Sequence, residues 1–75
     1  MSKNANNEKL SIELRAFNDF MEKFKKGKYG TQRLGQAFYD EFKLHRLSNQ
    51  EQLQNIYAKD GEHAVRCIHA IFELT

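Results

Sequence analysis

Leu10, Leu14, Phe17, Met21 and Phe24 recur at spacings of four, three, four and three, and Phe20 widens the stripe they form. This is the period of an amphipathic helix. It predicts a long first helix from about Asn7, which can serve as the N-cap. Residues 1–6 are polar and are expected to form a flexible N-terminus. Lys23, Lys25 and Lys26 suit the negative end of the helix dipole, and Gly27 and Gly30 follow as stop signals. Thr31 can cap a second helix running to about Leu44, in which Leu34, Phe38 and Phe42 repeat every four residues. Gly35 and Ala37 flank that row, and Tyr39 sits toward its edge. His45 to Leu47 read as a connector. Ser48 and Glu51 have the spacing of a capping box, opening a short third helix with Leu53, Ile56 and Tyr57 facing inward. Lys59-Asp60-Gly61 breaks it, and Asp60 caps a fourth helix to Leu74. Ala64, Val65, Ile68, Ile71 and Phe72 give that helix a broad apolar face, so it is expected to be the most buried.

The chain has no proline and no alternating strand pattern of any length. The predicted fold class is therefore all-α: one small four-helix domain over residues 7–75, with a long first and a short third helix. Six phenylalanines are a large apolar payload for a small chain, and full burial of each contributes about 1.5–3 kcal/mol. That exceeds what so short a chain readily encloses. The first stripe also averages nearer 3.5 than 3.6 residues per turn, as in a coiled-coil seam. A homodimer through the first helix is the resulting expectation.

Length and composition narrow the function classes. Seventy-five residues leave little room for both a core and an enclosed cleft. The single cysteine, Cys67, cannot form an intramolecular disulfide, and this suits a reducing cytoplasm. The first ten residues lack a hydrophobic signal core, and no apolar run approaches the ~20 residues of a membrane span. A cytoplasmic protein without a membrane partner is expected. Net charge is +2, unevenly spread: residues 1–30 carry seven Lys/Arg against four Asp/Glu, and residues 31–75 carry five against six.

Candidate chemistry is sparse. His63 and Cys67 are four apart and share a helix face, but a structural zinc site wants four ligands, and Cys67-Ile68-His69 has the wrong spacing to add one. A Cys67–His63 nucleophile pair would still need an orienting acid, an oxyanion hole and a pocket. Asp40 and Glu41 are adjacent and diverge around a helix, and Glu62 with Arg66 is an ordinary i, i+4 surface pair. No metal, cofactor or catalytic residue is assigned. The basic segment Lys23, Lys25, Lys26, Lys28, Tyr29 and Arg33 is the strongest candidate. Its five cations are expected to form one patch, able to steer a partner or to hold phosphates with help from Thr31 and the second helix's N-terminus. Its plainer reading is a solvated helix end.

Arg33-Leu34-Gly35-Gln36-Ala37-Phe38 is the other distinctive block. A glycine inside a helix costs about 1 kcal/mol relative to alanine, so Gly35→Ala is expected to gain that amount. The offsetting benefit of glycine is close approach of another helix. Gly35 and Ala37 are thus helix-packing candidates, and Arg33, Gln36 and Tyr39 form a possible outward recognition edge, since Arg and Tyr are enriched at interface hot spots. The block resembles the Arg-x-Gly-Gln-Ala-Phe/Leu helix of many short phage and prophage proteins. The resemblance implies a phage-like accessory protein in the host cytoplasm that binds and modulates or inhibits a host macromolecular complex, such as a defence or transcription complex. It assigns the block itself no role. The alternative is nucleic-acid binding through the Lys23–Arg33 patch, expected to be weak.

Overall fold

A computed structural model describes residues 10–75. The expected flexibility of residues 1–6 and the Asn7 cap lie outside the described residues. From Leu10 the order is a short strand β1 (Leu10–Ile12), helices α1 (Leu14–Lys25) and α2 (Leu34–Glu41), and a 3-10 turn at Leu44–Arg46. Helices α3 (Gln50–Ala58) and α4 (Gly61–Ile71) and a second short strand β2 (Phe72–Leu74) complete it. The protein is mostly helical, as the periodicity predicts, but it is not purely all-α.

The correction lies at both ends of the helical array. β1 and β2 pair in parallel, with Leu10 opposite Phe72, Ser11 opposite Glu73 and Ile12 opposite Leu74. The Thr75 amide extends the ladder by donating to the Ile12 carbonyl at 2.9 Å. Each strand is three residues of inward–outward–inward alternation, as a pleated backbone requires. Parallel strands need a long crossover between them, and here the four helices supply it. The first helix is therefore shorter than the stripe suggests, and the fourth ends at Ile71.

The core is arranged around Phe38, which is fully buried. Phe17, Phe20 and Phe72 meet its ring edge-on at 6.1, 5.5 and 5.7 Å, and Phe42 packs at 4.6 Å. Edge-to-face contacts of this kind add to the area buried. Phe17 and Phe20 thus turn into the protein's own core, and Leu10 belongs to β1. Part of the presumed coiled-coil seam is used inside the monomer, while Met21 and Phe24 are only half-buried. Leu14 is its one strongly exposed member, at 46 %. The most buried helix is α2, with Leu34, Gly35, Ala37, Phe38 and Tyr39 all inside, rather than α4.

Gly35 is the second residue of α2, not a mid-helix residue, because the helix starts at Leu34 rather than near Thr31. Its role is close contact with α3. A Cβ built there would fall inside the van der Waals surface of the Ile56 carbonyl oxygen and 2.6 Å from that of Lys59. The Gly35 amide donates to the same Lys59 carbonyl at 3.1 Å. Ala37 is likewise fully buried.

Two caps differ from those read in the sequence. Leu34 donates its amide to Asp60 Oδ1 at 2.9 Å, across 26 residues of chain, so the α2 N-terminus is capped by the α3–α4 junction instead of by Thr31. Asp60 also accepts from the Gly61 amide at 2.8 Å, as expected of the α4 cap. The N-cap of α3 is Asn49 without a side-chain bond to the helix, and Ser48 Oγ donates to Asn49 Oδ1 at 3.1 Å. The capping box is not made.

Candidate functional site

The basic segment begins where α1 ends. The Lys28 amide donates to the Lys23 carbonyl and the Gly27 amide to the Phe24 carbonyl, at 3.1 and 3.0 Å. This is a Schellman closure, with Gly27 at φ 81°, where a Cβ would be strained. It brings the chain round so that Tyr29 lies 6.3 Å from Phe24 and 5.2 Å from Phe20, ring to ring. Tyr29 Oη donates to Glu41 Oε1 at 3.2 Å. Burial, the Glu41 charge and that hydrogen bond hold the Tyr29 phenol above its usual pKa.

The lysines do not converge. Successive helix residues are about 100° apart, so Lys23 and Lys25 leave α1 in nearly opposite directions. Lys23 borders a shallow depression with Asp19 and Glu41. Lys25 borders a different groove, beside Glu62 and Arg66. Lys26 pairs with Glu22 at 3.8 Å, both side chains well exposed. Arg33 turns toward α3: its Nε donates to the Tyr57 carbonyl at 3.4 Å, and its guanidinium lies 5.6 Å from the Tyr57 ring centroid. Lys23, Lys25, Lys26 and Arg33 are therefore distributed around a helix end and interleaved with carboxylates, not gathered in one patch. The Leu34 and Gly35 amides are committed to Asp60 and Lys59, so these two amides at the start of α2 are not open to a phosphate.

The proposed recognition edge also divides. Arg33 is exposed and Gln36 half-buried. Tyr39 is 7 % exposed and packs edge-on against Tyr57 at 5.2 Å. Its hydroxyl donates to Gln50 Oε1, and Gln54 Nε2 donates to it at 3.2 Å. Gln50 then donates to the Leu44 and Leu47 carbonyls at 2.9 and 2.7 Å. Tyr39 is thus a core residue whose hydroxyl end is satisfied by amides, and it is not part of an outward edge. Gln50 joins α2, the 3-10 turn and α3. Nothing in its sequence setting marks it, because an amide's partners are set by tertiary placement.

The remaining candidate is a groove of about 450 Å³ between α1 and α4, which residue-by-residue reading missed. Met21 and Phe24 from α1, Leu34 from the start of α2 and Val65 from α4 form its apolar floor. Lys25, Glu62 and Arg66 are exposed at its rim. The only forewarning in sequence is an excess of apolar residues over what the core consumes. Asp60 fixes the groove by joining the first residues of α2 and α4. Two amide hydrogen bonds and the nearby Arg33 charge hold the Asp60 carboxyl below its ordinary range, against a smaller opposing effect of burial.

Comparison with family models, with curated proteins and with solved structures yields no match. Among the described residues, no three His, Cys, Asp or Glu side chains group in a way that could hold a metal ion. His63 is exposed and Cys67 half-buried, while His69 meets Phe17 edge-on at 5.9 Å. No described helix is long and apolar enough to cross a membrane.

Proposed function

We propose that this protein is a small non-catalytic accessory protein that binds a host macromolecular complex and modulates or inhibits it by occupying a surface. The observation that carries this reading is the Met21–Phe24–Leu34–Val65 groove. It is a concave, open, apolar surface with charge confined to its rim, as helix-binding grooves are. Resemblance of the Arg33–Phe38 block to phage proteins supports a host target and a site of action in the host cytoplasm. Exposed Leu14 on α1 keeps a homodimer as an assembly to be measured.

Nucleic-acid binding through the Lys23–Arg33 segment is the less favoured alternative. Carboxylates at Asp19, Glu22 and Glu41 lie among the lysines, and Arg33 faces Tyr57. The experiment is capture from a bacterial lysate, with and without nuclease, using the wild-type protein, Val65→Glu and Lys23→Glu/Lys26→Glu. A nuclease-resistant protein partner lost in Val65→Glu supports the accessory reading. Nuclease-sensitive capture lost in the lysine variant replaces it with the alternative.

A further inference from the structure

The groove has a rim whose charge is not evenly matched, and this bears on what it takes. Lys25 stands on the α1 side with no ion pair among the described residues. Arg66 stands on the α4 side, reaching only Glu62 at 3.7 Å with both side chains more than three-quarters exposed. So exposed an i, i+4 pair contributes little and is readily exchanged for another carboxylate. A carboxylate approaching between Lys25 and Arg66 meets two cations and one anion. Beneath them lie four apolar side chains, one of them the adaptable thioether of Met21.

We infer, building on the accessory reading above, that this groove receives an amphipathic helix whose apolar stripe is flanked by Asp or Glu. The walls are Met21–Lys25 at the end of α1 and Gly61–Arg66 at the start of α4, so the groove is little more than one helical turn long. That length takes the i and i+3/i+4 anchors of helix-in-groove recognition. Its volume suits two or three aliphatic side chains, and the flanking carboxylates meet Lys25 on one side and Arg66 on the other. Charge supplies orientation and on-rate, and the apolar floor supplies most of the affinity.

The test is selection of binders from a displayed library of helical peptides. The apolar stripe is held fixed and the flanking positions are randomised. The expected outcome is enrichment of Asp and Glu at the flanks. Selected peptides should shift the amide resonances of Met21, Phe24 and Val65 and become helical on binding. Lys25→Glu/Arg66→Glu alters only exposed side chains and should reverse the flank preference to Lys and Arg, with at least a tenfold loss for the acidic peptides. Val65→Glu should abolish binding of both sets. Charge-neutral enrichment overturns the inference, as does binding mapped away from the groove or a sedimentation result in which Val65→Glu dissolves a dimer seated there. If lysate capture finds a Val65-independent protein partner while the library fails, the groove inference falls and the accessory reading stands. If acidic helices bind but no nuclease-resistant partner exists, the accessory reading falls alone.

Discussion

Two residues carry opposite lessons about reading chemistry from sequence. At Gly35 helix propensity and packing disagree in sign. Propensity favours Gly35→Ala by at most the ~1 kcal/mol of a helix interior, but the new methyl has to displace the α3 backbone at Ile56 and Lys59. Backbone yields less readily than a side-chain tip, so overpacking wins at about 3 kcal/mol. Urea melts of Gly35→Ala should show a net loss of about 2 kcal/mol. An unchanged or raised midpoint means that α2 and α3 do not approach so closely. Asp60 is the residue where a local reading was half right. Its α4 cap was legible, and its bond to Leu34, 26 positions away, was not. Because its folded pKa is lowered, the stability it gives is present above the ordinary Asp range and is lost as pH falls through the lowered value. Denaturant midpoints followed from neutral pH to about pH 2 should therefore fall less steeply in Asp60→Asn than in wild type. Asn keeps an acceptor for Leu34 and Gly61, so its neutral-pH stability should drop only slightly. Identical pH profiles would mean that Asp60 is not ionised differently in the folded and unfolded chains.

The elements show where periodicity suffices and where it fails. α1 and α4 are legible because each repeats its apolar positions over about two turns or more, α3 because Leu53, Ile56 and Tyr57 share a face before the Lys59-Asp60-Gly61 break, and Leu53, Ile56, Ala64 and Ile68 are buried where the pattern puts them. β1 and β2 are not legible. Three residues of alternation fit a helical stripe equally well, and Leu10 falls in phase with Leu14. Only long-range pairing decides between them. Helix ends follow the same division. The α1 stop at Gly27 is written in the sequence, whereas α2 ends earlier than expected, with Lys43 at φ 54°. A left-handed non-glycine residue carries about 1–2 kcal/mol of strain, partly set against the roughly 0.5–1 kcal/mol of chain entropy that a glycine adds. Lys43→Gly should therefore raise the melting temperature by a few degrees, since the domain is small. A lowered melting temperature would show that the Lys43 side chain makes a contact worth more than that strain.

Charge is legible as composition but not as arrangement. The sequence places five cations within eleven positions, Lys23 to Arg33, and invites a single patch. The fold disperses them, because a helix turns Lys23 and Lys25 apart, Lys26 meets Glu22, and Arg33 crosses to Tyr57. A ligand that neutralises phosphates must bring several cations to one face. Each phosphate contact adds about 0.9 to the slope of log affinity against log salt on duplex DNA. With Lys25 turned away from Lys23 and Arg33 turned to Tyr57, no more than about three can act on one duplex, so the slope should stay no steeper than about −3. The same salt series on an acidic groove-binding helix should reduce mainly the association rate, since apolar contacts hold the complex once it is formed. A duplex slope near −5, with affinity lost on Lys23→Glu/Lys26→Glu, would mean that the cations do gather on one face. That result would move the functional surface from the α1–α4 groove to the end of α1.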